Sequence, residues 1–371
     1  MPAQVLADFS AALSLVHGPR LERQINDVSV LPQLLPIVEG EGKAMHGTAQ
    51  FTGAANATAS TEGVARSSSD ADAEVEVSYT NAWAQYDKVA SVSDLAVAAT
   101  GSSLNPESAG AMGGDVLLGR VLDQNTRLAL GVATDLYAGN PGATPPQLAG
   151  AALAIDSSGT FQSIVPGTYT EWVSVENTGA LSGMTQAQVR DFLTDVYDAC
   201  GYFPEFVTCP STVWNAVRDL YADRESNTQI VEMALAAGGG PDGRDSRIVK
   251  LSAGHRILDI DGVRFVLDKY ATASTMYAWN TRFVQLEQLN PYRGVLDQGA
   301  AGIQDLFRRL TDNPRLVLPR EQVEGMMARS VGLRPHIKML GDRGLSKEAV
   351  VALFAQVNWK RRNAFGKFTW N

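Results

Sequence analysis

Cysteine, charge and long apolar runs are all scarce in this chain of 371 residues, and each scarcity excludes a class of protein. Two cysteines, Cys200 and Cys209, cannot build a disulfide framework of this length, so we expect buried free thiols. No apolar run reaches the roughly 18 residues of a membrane helix, and the N-terminal segment lacks the basic start of a secretory signal. Apolar residues still make up 45%, enough for a sizeable core. We therefore expect a soluble, intracellularly made α/β or α+β protein.

The chain also lacks the short motifs that identify most enzymes and metal sites. Nucleophile elbows, zinc-protease motifs and phosphate loops are absent, and Gly40-Glu41-Gly42 is only half of a dinucleotide fingerprint. The four histidines lie far apart and outside any metal-ligand spacing: His17, His46, His255 and His336. We therefore predict no catalytic, cofactor-binding or metal-binding residues and no enzyme activity, although side chains distant in sequence can converge in space.

Charge is unevenly distributed along the chain. Residues 1–300 hold 18 Lys and Arg against 34 Asp and Glu, whereas residues 301–371 hold 13 against 6. The net charge of −9 argues against a dedicated nucleic-acid binder, because phosphate neutralisation needs a basic surface. The basic clusters Lys360-Arg361-Arg362 and Arg308-Arg309 allow two interpretations. They bind the acidic body of a neighbouring copy or a polyanion, or they form a solvated face.

The N-terminal part is predicted to be extended rather than compact. Residues 1–39 combine short apolar pieces with prolines, so those apolar side chains must pack on another part of the fold. Residues 51–73 are mostly Ala, Ser, Thr and Gly, which bury little apolar area, and we predict an extended loop there. The flanking segments His46–Phe51 and Ala73–Tyr79 have strand character and predict a long hairpin. Because an isolated ribbon is marginal in water, this hairpin must rest on another element or another subunit.

A long helix is predicted next. Asn105-Pro106-Glu107 has the cap, proline and acid of a helix start, and Gly139-Asn140-Pro141 ends it. Glycines in the first turns place the start of the ordered part near Asp115. The apolar side chains form two adjacent stripes, which are Leu117, Val121, Leu128 and Val132, and Leu118, Leu122, Ala129, Ala133 and Leu136.

The middle of the chain predicts a helix–strand–helix unit, preceded by a strand over Thr170–Val175. Thr185 and Gln188 form a capping-box pair for a helix that Gly201 ends. Its apolar face is predicted to be Val189, Phe192, Leu193, Val196 and Tyr197. A buried strand over Glu205–Cys209 follows, and Pro210-Ser211 begins a second helix with Val213, Trp214, Val217 and Leu220 on one face.

Strands dominate the second half. Asp261-Gly262 is a type I′ turn signal between two strands, Arg256–Ile260 and Val263–Leu267. Thr275–Trp279 and Arg282–Leu286 are predicted to be a further strand pair. From Val351 to Trp359 alternate apolar residues indicate one strand face, although periodicity alone leaves a helix open.

This order of elements resembles the major capsid protein of tailed bacteriophages with the Hong Kong 97-type fold. Local similarity is carried by PEFVTCPSTVWNAVRDL (204–220), DIDGVRFVLDKYATASTMYAWNTRFVQLEQL (259–289) and AQVNWKRRNAFGKFTW (355–370). The resemblance implies an α+β fold with an N-terminal arm, an extended β-hairpin loop, a peripheral domain with a long spine helix, an axial α/β domain and a return strand of the peripheral domain. The implied bounds are 1–38, 39–100, 101–180, 181–345 and 346–371, and residues 290–345 fit the family least well.

The resemblance also implies a function. Copies would assemble into the hexamers and pentamers of an icosahedral virion head, built in the host cytoplasm, that encloses double-stranded DNA and touches it weakly and non-specifically. The implied partners are other copies, a separate scaffolding protein, a portal and possible cement proteins, with no membrane. Three alternatives stay open: an encapsulin nanocompartment shell of the same fold, a phage tail or decoration protein, and a soluble enzyme whose site is assembled from scattered acids.

Overall fold

The computed structural model describes residues 29–50, 76–93, 116–166, 168–169, 172–221, 225–226, 232–236, 246–250, 257–289, 333, 335–343 and 346–371. The α-helices in these ranges are α1 Leu31–Leu34, α2 Val116–Ala138, α3 Ala151–Ala154, α4 Gln186–Cys200 and α5 Ser211–Leu220. The strands are β1 Ile37–Gly40, β2 Ala44–Gln50, β3 Glu76–Ala82, β4 Ala84–Ser93, β5 Val175–Gly179, β6 Phe206–Cys209, β7 Glu225–Ser226, β8 Glu232–Ala236, β9 Ser246–Lys250, β10 Ile257–Ile260, β11 Val263–Leu267, β12 Thr275–Trp279, β13 Val284–Leu289, β14 His336–Arg343, β15 Ser346–Trp359 and β16 Gly366–Trp370.

Several predictions concern residues outside the described ranges. They are the N-terminal arm up to residue 28, the loop over 51–73, the helix start at Asn105 and the basic pair Arg308-Arg309. Most of the stretch 290–348, for which the sequence predicts no elements, lies outside as well.

A five-stranded sheet is built around the 14-residue strand β15. β4 pairs antiparallel with β15 from Ser346 to Ala355, while β14 and β13 lie end to end along its other edge. β1 extends the sheet by pairing in parallel with β13. The strand prediction for this segment is confirmed, and its inward face consists of the buried residues Val351, Leu353, Ala355, Val357 and Trp359.

The long helix α2 packs against β4 and β15. Both predicted stripes contribute to its buried side, because a helix lying along a sheet buries a wide apolar face. Across β4 the contact is also polar, since the Tyr86 hydroxyl donates to Asp135 Oδ2 at 2.7 Å and accepts from the Leu148 N–H at 3.2 Å. The buried residues of α2 include Val121, Leu128, Ala129, Val132, Ala133 and Leu136.

A seven-stranded sheet has the order β5-β16-β12-β6-β11-β10-β7. One face is covered by α4 and α5, and the other faces the core that α2 and β15 share. Side chains alternate between the two faces, so Met276 and Ala278 of β12 lie on the helix side and Tyr277 and Trp279 on the other. Burial on both faces explains why all four residues of β6 are buried.

The local signals of this region are confirmed. Thr185 and Gln188 form the predicted capping box, and Gly201 ends α4 at a φ of 78° in the left-handed region that favours glycine. At the predicted turn, Asp261 and Gly262 have φ values of 53° and 84°, as a type I′ turn requires. β10 and β11 pair antiparallel on either side of it.

Three predictions about the strands and the helix of this region are wrong. The described residues 172–174 of the predicted strand Thr170–Val175 are not in a strand, and β5 begins only at Val175. The second pair consists of strands that do not pair with each other, since β12 lies between β16 and β6 whereas β13 lies between β1 and β15. Tyr197 is 40% exposed rather than part of the buried face of α4.

The C-terminal segment contains two strands where the resemblance implied one. β15 belongs to the five-stranded sheet and β16 to the seven-stranded sheet, with a 3-10 turn over Arg362–Ala364 between them. In this half the chain crosses between the sheets at Asn280–Phe283, from β12 to β13, and again at Lys360–Phe365, from β15 to β16. None of the helices that the structure describes is long and apolar enough to cross a membrane.

Candidate assembly surfaces

The predicted hairpin is confirmed as an antiparallel ribbon of β2 and β3. Its base rests on the core through the buried side chains of Met45, Ala49 and Tyr79. The Tyr79 hydroxyl contacts Asn358 Oδ1 and lies 2.9 Å from the Trp359 carbonyl oxygen. A Cβ atom at Gly47 would collide with the Tyr79 ring, so a glycine is needed where the two strands face each other. The ribbon is thus attached to β15 of its own chain.

A buried carboxylate continues this attachment into the sheet. Asn358 Nδ2 donates to Glu287 Oε1 at 2.6 Å, and Gln285 Nε2 donates to the same oxygen at 2.8 Å. Burial raises the pKa of Tyr79 well above its usual range, and the charge of Glu287 adds to that increase. The phenol therefore stays protonated at neutral pH, where its hydroxyl can donate a hydrogen bond.

The residues before α1 are fixed by a second buried carboxylate. Asp268 Oδ2 accepts from Ser29 Oγ at 2.8 Å, from the Tyr137 hydroxyl at 3.0 Å and from the Val30 N–H at 3.3 Å. Burial and the neighbouring carboxylate raise the pKa of Tyr137. The expected packing of the N-terminal apolar residues is confirmed for Leu31, Leu34 and Leu35, which are buried.

Arg362 lies in the 3-10 turn between the sheets and is completely buried. Its guanidinium donates to three backbone carbonyl oxygens, Ala154 at 2.5 Å, Asp156 at 2.5 Å and Gly159 at 3.0 Å. Its Cζ lies 5.3 Å from the ring centre of Phe161 and is also close to the Trp172 ring. Burial lowers the pKa of Arg362 to about 10, so the side chain remains charged at neutral pH. The interpretation of the basic tail as a solvated face is therefore wrong for Arg362.

An exposed aromatic and cationic surface lies beside the two crossovers. We call it the junction patch, and it consists of Tyr197, Tyr202, Phe203, Arg282, Phe283 and Arg361. Phe283 and Arg361 are half-buried, and Arg361 Nε donates to Asn363 Oδ1 at 2.8 Å. Tyr197 stacks on Phe203 with ring centres 4.5 Å apart. Arg282 lies over Tyr202 at 5.1 Å, and Arg361 lies over Phe283 at 5.5 Å.

Three aromatic side chains of the junction patch are exposed to solvent. Tyr202 and Phe203 are 41% and 55% exposed, in addition to the exposed Tyr197. Clustered exposed aromatic residues with arginines are typical of interaction surfaces, where aromatic and Arg side chains are enriched. Sequence reasoning missed this surface because it placed Tyr197 in the core, although Tyr202-Phe203 directly after the helix end is a visible signal.

The side chains considered for chemistry remain separate. His46 Nδ1 lies 3.4 Å from Thr80 Oγ1 on the ribbon, whereas His336 is buried with Nε2 2.9 Å from the Leu289 carbonyl oxygen. Cys200 and Cys209 are buried free thiols, as predicted, and burial raises the pKa of both. Within the described ranges, no three His, Cys, Asp or Glu residues are grouped so that they could hold a metal ion. His17 and His255 lie outside those ranges.

Comparison with known proteins identifies the fold. No family model matches the chain, and no curated protein matches its sequence. Among solved structures, the capsid asymmetric unit of cyanophage A-1(L) is similar with a TM-score of 0.57 and 14% identity, over 92% of this chain and 91% of that chain. This similarity confirms the expected likeness to phage capsid proteins at the level of the fold.

Two further solved structures match with lower scores. The capsid of Myoviridae phage XM1 has a TM-score of 0.47 and 10% identity, over 92% of this chain and 91% of that chain. The SrpI encapsulin complex of Synechococcus elongatus PCC 7942 has a TM-score of 0.45 and 10% identity, over 92% and 86%. We base the fold assignment on the cyanophage structure, because its TM-score alone of these three exceeds 0.5.

Proposed function

We propose that this chain is a structural shell subunit, the major capsid protein of a tailed phage. Copies assemble into hexamers and pentamers of an icosahedral head that encloses double-stranded DNA. The observation that carries the proposal is the likeness to the cyanophage A-1(L) capsid fold over 92% of the chain. The ribbon and the exposed junction patch support it, since a shell subunit needs surfaces that project toward its neighbours.

The proposal gives each part of the chain a role. Residues 1–38 form the N-terminal arm, residues 39–100 the extended loop, and residues 101–180 the peripheral domain with α2 as its spine helix. Residues 181–345 form the axial domain, apart from β13 and β14, which lie in the five-stranded sheet. In residues 346–371, β15 returns the chain to the peripheral domain and β16 then joins the seven-stranded sheet. The ribbon is attached to its own subunit by Tyr79.

Partners and location follow from the same proposal. The subunit binds other copies of itself, a separate scaffolding protein, a portal and cement proteins, and it resides in the virion after assembly in the host cytoplasm. Its contact with DNA is weak and non-specific, consistent with a net charge of −9. Its role is structural rather than catalytic.

Electron microscopy of the purified full chain, together with sedimentation velocity, tests the proposal. We expect closed shells or rings of five and six subunits, and double-stranded DNA inside particles recovered from the producing cells. Shells that enclose a protein cargo would replace the phage head with an encapsulin compartment, and tubes would indicate a tail protein. A chain that remains a monomer or dimer at all protein and salt concentrations would overturn the proposal and favour an enzyme.

A further inference from the structure

We propose that the junction patch of one copy binds the acidic side of helix α4 on the next copy. This inference rests on the proposed function and names the partner surface for one contact between subunits. The acidic side of α4 is defined by Asp191, Asp195 and Asp198, all of which are exposed. Their spacing of four and three residues puts them on one side of the helix.

The two surfaces lie on different sides of α4. Asn177 of β5 donates to Asp195 Oδ2 at 2.7 Å, so the acidic side faces the β5 edge of the seven-stranded sheet. Arg190 Nε donates to Asp261 Oδ2 at 3.1 Å in the β10–β11 turn. The Arg190 side of α4 therefore faces β10 and β11, which are separated from β5 by three strands. Tyr197 follows Arg190 by seven residues, about two helical turns, and therefore shares its side.

Two different surfaces on one subunit suit a head-to-tail contact. An interface that joins two different patches repeats from copy to copy and closes into a ring when the rotation allows. A contact between two identical patches would instead give a pair and bring like charges together. The α4 geometry thus matches the ring formation that the proposed function requires.

The chemistry of the two surfaces is complementary. Arg282 and Arg361 are held over the rings of Tyr202 and Phe283, at 5.1 Å and 5.5 Å. A guanidinium stacked on a ring can still direct N–H groups at carboxylates in the same plane, where it forms paired hydrogen bonds. The exposed rings of Tyr197, Tyr202 and Phe203 supply apolar area that becomes buried around these pairs.

Charge favours a second copy over a polyanion as the occupant. Residues 1–300, which contain α4, carry 34 acids against 18 bases, whereas Arg361 of the patch belongs to residues 301–371, which carry 13 bases against 6 acids. Each copy therefore offers the acidic surface that the patch of its neighbour needs. Single-stranded nucleic acid also binds aromatic and Arg side chains, so nucleic-acid binding is measured beside assembly to separate a polyanion from a second copy.

Charge reversal with rescue tests the contact in the full chain. The patch variant carries Arg282→Glu and Arg361→Glu, and the acidic-side variant carries Asp191→Arg and Asp198→Arg. We expect each to require about ten-fold more protein for assembly, or to stay unassembled, in sedimentation velocity and electron microscopy. A chain with all four substitutions restores opposite charges across the contact, and we expect it to assemble again.

Two controls keep the result specific. Arg127→Glu with Asp123→Arg reverses an exposed pair on α2, 3.5 Å apart, and leaves assembly unchanged. Phe203→Ser removes the most exposed ring without touching a charge and weakens assembly, whereas Val165→Ser, at a residue 50% exposed, does not. Circular dichroism and thermal unfolding verify that each variant is folded. If a charge variant does not fold, Phe203→Ser takes its place as the test of the patch.

The outcomes distinguish this inference from the proposed function. If the unsubstituted chain forms shells and the patch variants form them equally well, the contact is wrong and the shell function stands. If the patch variant and the acidic-side variant are both defective and the chain with all four substitutions also fails to assemble, the acidic side of α4 is not the partner surface. Loss of nucleic-acid binding without loss of assembly assigns the patch to a polyanion. A chain that never assembles overturns both proposals.

Discussion

Arg362 binds three backbone carbonyl oxygens within one short stretch of the chain, residues 154–159. Its planar guanidinium directs N–H groups at the carbonyl oxygens of Ala154, Asp156 and Gly159 between two aromatic rings. Lysine keeps the charge but lacks this planar arrangement of donors. We expect Arg362→Lys to lower the free energy of unfolding by about 2–4 kcal/mol, because buried carbonyls lose their donors. Urea denaturation measures the change, and Arg120→Lys on the exposed side of α2 is the matched control, expected within about 0.5 kcal/mol.

The Lys367–Glu176 ion pair, at 2.8 Å, links the edge strand β5 to its neighbour β16. Burial alone would raise the pKa of Glu176, but hydrogen bonds from Lys367 and Ser157 hold it below the usual value of 4.5. A carboxyl group whose pKa is lower in the folded chain stabilises the fold above its unfolded value, and this contribution disappears as the pH falls through the folded value.

We therefore expect Glu176→Gln to cost about 0.5–1 kcal/mol at neutral pH and much less near pH 3. Urea denaturation at both pH values measures the difference. In a Lys367→Met background, which removes the partner of the carboxylate, the pH dependence of the same substitution should shrink. A cost for Glu176→Gln that is equal at both pH values would show that the ion pair does not act through the protonation of Glu176.

At the scale of the element, helix α4 is fixed by its ends. Thr185 Oγ1 accepts the N–H of Gln188 at 3.3 Å, which satisfies a donor that the first helical turn leaves free. We expect Thr185→Ala to destabilise the protein by about 1 kcal/mol in thermal or urea unfolding. Thr194 lies in the same helix with its hydroxyl bonded to the Arg190 carbonyl, and Thr194→Ala should be neutral or slightly stabilising.

The ribbon is attached through one hydroxyl group. Tyr79→Phe removes the hydrogen bonds to Asn358 and Trp359 while it keeps the ring that packs on Gly47. We expect a loss of about 1–2 kcal/mol in unfolding free energy and faster amide exchange in β2 and β3. Tyr202→Phe removes an exposed hydroxyl and is the matched control. Unchanged exchange in the ribbon of Tyr79→Phe would show that packing alone holds it.

At the scale of the whole molecule, Asp268 joins parts of the chain that are distant in sequence. It directly follows β11 of the seven-stranded sheet and accepts hydrogen bonds from Ser29 and from Tyr137 near the end of α2. Asp268→Asn places an amide where one acceptor oxygen stood, so a donor then faces donors. We expect a loss of about 1–3 kcal/mol and faster amide exchange in residues 29–35. Asp219→Asn on the exposed part of α5 should change neither.

The two sheets are joined by one shared core, so their packing against each other also belongs to the scale of the whole molecule. Trp279 of β12 stacks on Trp359 of β15 with ring centres 5.6 Å apart, and Phe365 packs edge-on against both. The junction patch lies beside these crossovers, so a neighbour bound there would contact the segments that connect the sheets.

Much of the element structure was predictable from the sequence by local physics. A capping box, a glycine after the helix end and an Asp-Gly turn each involve residues within a few positions of one another, and all three lie where the sequence places them. The alternation from Val351 to Trp359 also predicts the apolar face of β15, although Gln356 and Asn358 between those residues are buried as well. A wide apolar face identified α2, although the described helix begins only at Val116.

Strand partners and the candidate site were decided by tertiary structure. β12 and β13 are adjacent in sequence but belong to different sheets, because their hydrogen-bonding edges are taken by strands from elsewhere in the chain. Arg362 is indistinguishable in sequence from the cations beside it, and only its contacts with residues 154–161 and Trp172 make it buried. The junction patch likewise combines three distant segments. The sequence alone determined where helices and strands form, since those signals are local, whereas pairing, burial of polar groups and surface composition depend on contacts between residues far apart in the chain.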